Sequence, residues 1–100
     1  MIINMSKNEE LKELTIKPEG RLDSTCSDEF FDYVNESFTE DFNKLIIDFN
    51  CIDFISSKGL RVLVSIYKSL NGRTMEATGA NVSVMEILRL SGLLKVIEVK

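Results

Sequence analysis

Residues 45–63 read LIIDFNCIDFISSKGLRVL, and this stretch decides the fold. The apolar run at 45–49 is too short for a helix and is typical of a strand covered on both faces. Apolar residues at 51–55 extend that surface as far as Ser56 and Ser57. Beyond them the apolar positions keep helical spacing until Asn71 and Gly72, so a helix follows the strand. These positions are Leu60, Leu63, Val64, Tyr67 and Leu70.

Toward the amino terminus, two short segments with apolar and polar residues in alternation predict a pair of strands. The first contains Ile2, Ile3 and Met5, and the second contains Leu14 and Ile16. We expect the residues at 18–20, Pro-Glu-Gly, to break the second strand. Ser24 and Thr25 are favourable N-caps, with acidic residues four positions later, so we expect a first helix to begin there. Its apolar face carries Phe30, Phe31, Val34 and Phe38.

Toward the carboxyl terminus, the pattern predicts a strand, a helix and a last strand. Residues 73–78 are the short strand, with Met75 and Ala77 on one side. The turn at 79–81 ends in Asn81, which we expect to cap a helix that stops at Ser91 and Gly92. Residues 94–99 predict a final strand.

The predicted order of elements favours an α/β class. Strands that alternate with helices form parallel neighbours through right-handed crossovers, so we expect a mixed, mostly parallel central sheet covered by helices. A chain of 100 residues holds one domain, spanning residues 1–100.

Composition excludes several classes of function. The chain has 12 basic and 16 acidic side chains and a net charge of −4, which disfavours a partner that is a nucleic acid or an anionic membrane. It has no histidine, the commonest general base and imidazole ligand, which excludes most hydrolase mechanisms. We expect no metal and no cofactor. Cys26 and Cys51 show no metal-binding or disulfide spacing. Without an apolar run of membrane length, we expect a soluble, cytoplasmic protein whose partner is a protein.

Four fragments carry a family resemblance that covers nearly the whole chain. They are Asp53–Leu63 (DFISSKGLRVL), Leu45–Phe49 (LIIDF), Gly20–Asp23 (GRLD) and Leu90–Leu93 (LSGL). In this order and at this spacing, they resemble the STAS domain of bacterial anti-sigma factor antagonists. That family has a hydrophobic strand, an aspartate-rich turn, a serine pair and a Gly-Leu pair that opens the second helix.

The resemblance implies a phosphorylation site. Aligned on Gly59, the serine that the family phosphorylates falls on Ser57, and Ser56 takes its place if the register at the turn is shifted by one. Family members often carry aspartate where Ser56 stands and serine or threonine where Lys58 stands, so this chain departs from the pattern at both positions.

The resemblance further implies a partner-switching function without catalysis by the chain itself. Unphosphorylated, the protein would capture an anti-sigma factor that is also a serine kinase with a histidine-kinase-like ATP-binding fold, and so free a sigma factor for transcription. Phosphorylation would release the kinase, and a metal-dependent serine phosphatase would reset the switch. The residues expected to contact the partner are Asp23, Ser56, Lys58, Gly59 and Arg61. Lys58 and Arg61 would meet acidic groups of the partner or screen the phosphate.

Two alternatives from other classes stay open. One is a nucleotide- or anion-binding STAS module, although the sequence has no phosphate-binding glycine motif. The other is a scaffold or accessory subunit of a transporter or signalling complex. The sequence leaves the oligomeric state open as well.

Overall fold

The computed structural model describes residues 1–100 and contains strands and helices in alternation. The strands are β1 (Ile2–Asn8), β2 (Glu13–Leu22), β3 (Lys44–Asp48), β4 (Ile52–Ile55), β5 (Thr74–Thr78) and β6 (Glu98–Val99). The α-helices are α1 (Ser27–Ser37), α2 (Ser57–Ser69) and α3 (Val82–Leu90). The predicted α/β class is confirmed.

The sheet is mixed, because β1 and β2 are antiparallel whereas the other pairs are parallel. Its order is β1-β2-β3-β5-β6, and β4 pairs with β2 off this path. A helix lies in the sequence between the members of each parallel pair, as parallel crossovers require. The prediction of a strand pair followed by helical crossovers is therefore confirmed.

Strand β2 changes its parallel partner along its length. Residues 13–16 pair with β3, and residues 20–22 pair with β4. The predicted break at residues 18–20 is wrong, because Pro18 lies between these two pairings, where no parallel neighbour needs the N–H that proline lacks. Gly20 takes a φ of +105° at the point where the register shifts, so the interruption is a bulge inside a continuous strand.

The apolar stretch at 45–55 forms two strands separated by a turn at residues 49–51. The Phe49 N–H donates to the Thr78 carbonyl oxygen at 2.7 Å, and the Cys51 carbonyl accepts from the Gly20 N–H at 2.8 Å. These bonds let β3 pair with β5 while β4 moves beside the far end of β2.

The sheet is fully covered on one face only. Along β3, Leu45 and Ile47 are completely buried, whereas Lys44, Ile46 and Asp48 are half-buried. The expectation that this strand is covered on both faces is wrong. The contiguous apolar core lies on the face where helices α1 and α2 pack.

Helix α1 begins two residues later than the predicted caps. Ser24 and Thr25 do not cap it; Asp23 stands before the helix, and its carbonyl oxygen accepts the Ser27 N–H at 3.0 Å. The predicted apolar face is largely confirmed, because Phe30 and two further residues are buried while Phe31 is half-buried. Those further residues are Val34 and Phe38.

Helices α2 and α3 match their predictions closely. In α2, Leu63 and Leu70 are buried as predicted, whereas the other three predicted positions are half-buried. Val62 and Ile66 complete the core-facing side. Asn81 caps α3 as predicted, since its side-chain oxygen accepts the Val84 N–H at 2.8 Å.

The predicted last strand at 94–99 is mostly wrong. A 3₁₀ turn occupies Leu93–Lys95, and only Glu98 and Val99 pair with β5. Gly92 ends α3 with a φ of +84°, which turns Leu93 into the core and leaves too few residues for a longer strand.

Candidate functional site

The candidate site lies where β2 and β4 end side by side. Leu22 and Ile55 are paired neighbours, so the segments that follow them, Asp23 and Ser56–Ser57, emerge at one edge of the sheet. The Ser56 N–H donates to the Leu22 carbonyl oxygen at 2.9 Å and fixes the start of α2 against the end of β2. Asp23 and the serine pair therefore lie at the same edge of the sheet.

Ser56 is the N-cap of α2. Its backbone is extended (φ −81°, ψ 172°), and its hydroxyl oxygen accepts the Gly59 N–H at 3.1 Å. An N-cap side chain satisfies a backbone donor that has no partner inside the helix. The hydroxyl of Ser56 is therefore engaged in holding the helix start, and the residue is half-buried.

Ser57 is the first residue of α2, and it is exposed. Its hydroxyl makes no hydrogen bond within the protein, because Ser56 already caps the helix. The two candidate phosphorylation sites thus differ: Ser56 is half-buried and its hydroxyl oxygen caps the helix, whereas Ser57 is exposed and its hydroxyl has no partner.

Gly59 is buried in the first turn of α2, where that turn packs on β2. A methyl group at this position would overlap the Leu22 carbonyl oxygen and would lie 3.2 Å from the Ile55 side chain. Gly59 therefore lets the helix start approach the strand end. It is predicted to contact the partner, but its side of the helix faces the sheet, so the structure gives it a positioning role.

The two predicted cations differ in their surroundings. Lys58 Nζ lies 2.9 Å from Asp28 Oδ2, which joins the first turn of α2 to the first turn of α1. Arg61 is exposed and forms neither a hydrogen bond nor an ion pair. Both cations were predicted to have the same role, and Asp28 was not predicted to be the partner of Lys58.

Asp23 organises the turn before α1. Its Oδ1 accepts the Thr25 hydroxyl at 2.7 Å and the Thr25 N–H at 3.0 Å. These bonds hold the pKa of the Asp23 carboxyl below its ordinary value, with smaller contributions from Cys26 and Arg21. Asp23 is thus a carboxylate fixed in place beside the start of α2.

An exposed cation–aromatic stack, which the sequence analysis missed, borders the site. The Arg21 guanidinium lies 4.6 Å from the centre of the Phe54 ring, and its Nε is 4.0 Å from Asp23 Oδ2. Phe54 is 38% exposed although it comes from the most apolar stretch of the chain. No local signal predicts this exposure, because strand alternation with the charged Asp53 would place Phe54 on the opposite face.

A buried ion pair lies elsewhere, between β3, β5 and the carboxyl terminus. Glu76 is only 6% exposed, with Oε1 2.8 Å from Lys44 Nζ and 3.3 Å from Lys100 Nζ. At these distances the two ammonium groups hold the carboxylate in place. Burial alone would raise the pKa of Glu76, but the two ammonium groups outweigh burial and lower it below 4.5. Because Glu76 is buried and paired with two lysines away from Ser57, we assign this cluster a structural role.

The largest surface groove, about 670 Å³, lies away from Ser57, between the β1–β2 turn and the residues that follow α1. Four carboxylates and two lysines line it, with Met5 and Phe42 as the apolar lining residues. Because acidic side chains outnumber basic ones, the groove does not favour a ligand that carries a phosphate. No α-helix of the structure is long and apolar enough to span a bilayer.

Both a family match and solved structures relate this chain to known proteins. The sequence model of the STAS domain matches residues 3–100, which confirms the resemblance. No curated protein sequence matches the chain.

Solved structures share the fold at low sequence identity. An anti-sigma factor antagonist from Mycobacterium paratuberculosis aligns with TM-score 0.82 and 18% identity, covering 98% of this chain and 85% of its own. The antagonist SpoIIAA in its unphosphorylated form aligns with TM-score 0.82 and 15% identity, covering 99% and 88%. The phosphorylated form of Bacillus SpoIIAA gives 0.75 and 14%, covering 99% and 91%. The STAS domain of a SulP transporter from Vibrio cholerae gives 0.66 and 23%, covering 83% and 68%.

Proposed function

This chain belongs to the STAS domain family, whose fold is a binding module and not an enzyme, and we propose that it is a phosphorylation-switched antagonist of an anti-sigma factor. The observation that carries the proposal is the exposed Ser57 hydroxyl at the start of α2, left without a hydrogen bond because Ser56 provides the cap. We further propose that the exchange of partners takes place in the cytoplasm.

The start of α2 is suited to accept a phosphate on Ser57. Modification breaks no hydrogen bond of the protein, and the helix dipole favours an anion at this end by about 0.3 to 1 kcal/mol. A phosphate on Ser56 would instead have to fit at a half-buried hydroxyl that already holds the start of the helix. Ser57 is therefore the acceptor that leaves the fold intact, and the effect of phosphorylation falls on binding.

The proposed docking surface surrounds Ser57. It consists of the Asp23 turn, the start of α2 with Lys58 and Arg61, and the Arg21–Phe54 stack beside them. Arginine and aromatic side chains are enriched among the residues that dominate binding energy at protein interfaces. Phe54 and Arg21 supply such an anchor next to the residue whose charge changes.

The chemistry of the switch belongs to the partners. In the kinase complex, the Ser57 oxygen bonds to the γ-phosphorus of ATP as the bond to ADP breaks, and the hydroxyl proton passes to a base of the kinase. The phosphate adds about −1.5 to −2 charges. A like charge facing it at the interface costs several kcal/mol, and 3 kcal/mol lowers affinity by about two orders of magnitude. A phosphatase then hydrolyses the ester and restores the binding form.

The direct test is phosphorylation in vitro. The purified chain is incubated with ATP and each anti-sigma factor kinase of its source organism, and the product is mapped by mass spectrometry. We expect one phosphate on Ser57, none on the Ser57→Ala variant, and unchanged modification of the Ser83→Ala control. A phosphate on Ser56, or an unmodified wild-type chain, would contradict the proposal.

The SulP match supports a second candidate, a scaffold within a transporter or a larger assembly. The Ser57→Ala variant distinguishes the two functions. A scaffold keeps its activity when this hydroxyl is removed, whereas a switch stays locked in the partner-bound form. Calorimetry with GTP and ATP tests the nucleotide-binding alternative, and heat that saturates at micromolar nucleotide without a protein partner would favour it.

A further inference from the structure

The two cations beside Ser57 differ in whether they have an acidic partner within the protein. The Lys58 ammonium is 2.9 Å from the Asp28 carboxylate and ties α2 to α1. The Arg61 guanidinium is exposed and has no acidic partner in the chain. One cation is thus already committed, and the other is free.

Helix geometry places Arg61 on the same face as Ser57. Residues four apart on a helix are surface neighbours, with about 5–6 Å between their Cβ atoms. The other helical neighbours of Arg61, at three and four positions, are Lys58, Val64 and Ser65, none of which carries a negative charge. A phosphorylated Ser57 is therefore the one residue of α2 that places an anion beside Arg61.

We propose that Arg61 is the internal partner of the phosphate on Ser57. The guanidinium donates hydrogen bonds to the phosphate oxygens once Ser57 is modified. The order is favourable, because an anion N-terminal to a cation at this spacing is the better arrangement, and arginine binds phosphate in a bidentate manner. This inference rests on the modification site proposed above.

Pairing with Arg61 gives the switch a second component. In the unmodified protein, Arg61 has no internal acid, so it is available to a carboxylate of the partner. After modification it turns to the phosphate. Phosphorylation then adds a dianion to the docking surface and at the same time withdraws a cation from it. An acidic partner surface loses an attraction and meets a repulsion in one step.

The test uses phosphoserine inserted at position 57 during translation, so it needs no kinase. The second ionisation of the phosphate is followed by ³¹P NMR in the otherwise wild-type chain and in the variants Arg61→Gln, Lys58→Gln and Lys68→Gln. We expect the phosphate pKa of the parent to lie below its usual value of about 6. Arg61→Gln should raise it by about 0.5 units or more, because the dianion loses a charged donor.

The lysine variants are the matched controls. Lys68 is exposed in the last turn of α2, so Lys68→Gln should leave the phosphate pKa unchanged. Lys58→Gln should shift it less than Arg61→Gln, because Lys58 is held by Asp28. The proposal is overturned if Arg61→Gln behaves like Lys68→Gln, or if Lys58→Gln gives the larger shift.

One further variant tests the geometry of the pairing, and the kinase assay separates its outcome from that of the proposed function. Arg61→Lys retains the charge but loses the bidentate fork, so its phosphate pKa should fall between those of the parent and Arg61→Gln. If no kinase modifies Ser57, the partner-switching proposal fails while the titration still reports on Arg61. If a kinase does modify Ser57 but Arg61→Gln leaves the titration unchanged, only the pairing is refuted.

Discussion

Helices α1 and α2 begin close together, and each has a serine as its first residue. Ser27 is fully buried, and its hydroxyl donates to the Asp23 carbonyl oxygen. Ser57 is exposed, and its hydroxyl has no partner because Ser56 has taken over the cap. The comparison shows that two serines at the same helix position differ in accessibility, because one packs inside the fold and donates to a preceding carbonyl while the other faces solvent.

The largest expected effect tests whether the accessible start of α2 controls binding. Ser57→Glu should weaken binding of the proposed partner kinase by about a hundredfold, because the carboxylate introduces a like charge at the interface. Ser83→Glu is the control, since it adds the same charge to an exposed serine in the first turn of α3. Calorimetry measures both. Equal losses for the two variants would show that net charge, and not the Ser57 position, controls binding.

The next effect tests how closely α2 approaches β2. Gly59→Ala should lower the free energy of unfolding by about 1–3 kcal/mol, because the new methyl group overlaps the Leu22 carbonyl oxygen. Ser65→Ala, an exposed substitution in the same helix, should change it by less than about 0.5 kcal/mol. Urea unfolding of both variants provides the comparison. A Gly59→Ala protein as stable as the parent would mean that the helix start is free to move.

A smaller effect compares the two serines directly. Ser27→Ala should cost about 1 kcal/mol of unfolding free energy, because a buried hydrogen bond to Asp23 is lost. Ser57→Ala should cost less than about 0.5 kcal/mol, because its hydroxyl bonds to nothing in the protein. Thermal and urea unfolding measure both. If Ser57→Ala is the more destabilising change, the assignment of the cap to Ser56 is wrong.

The smallest effect is a pH dependence confined to the start of α1. The pKa of Asp23 is lower in the folded protein than its ordinary value of 3.8. Its contribution to stability is therefore complete above the unfolded value and is lost as pH falls through the folded one. Protection of the Thr25 amide from exchange, relative to its intrinsic rate at each pH, should fall below pH 3.8, and that of Gly59, capped by a serine hydroxyl, should not. The Asp23→Asn variant should remove the difference.

Much of the fold could be predicted because the relevant signals are local. The spacing of apolar residues defined α2, the Asn81 cap defined α3, and Gly92 marked its end. The errors came from non-local pairing. Pro18 reads locally as a strand break, yet β2 continues through it because its two parallel partners leave a gap there. Helix α1 starts late because Asp23 bonds to the turn and Ser27 packs inside.

The residues of the candidate site also fall into those that local sequence predicts and those that only non-local contacts bring to the site. The motif around Ser57 could be found in the sequence, because a serine pair, a glycine and an apolar helix face are contiguous there. Asp28 and the Arg21–Phe54 stack could not, because they reach the site from other parts of the chain. Lys58 and Arg61 look alike in the sequence and differ only in which acid lies within reach.

The sequence by itself determined the alternation of strands and helices, the family, and the serine pair at the start of α2, because each depends on neighbours along the chain. Only the tertiary structure decided which serine hydroxyl is free, which cation is committed and which aromatic ring is exposed. Those properties depend on the distances between segments remote in sequence, and they were set when β2 and β4 brought their ends together.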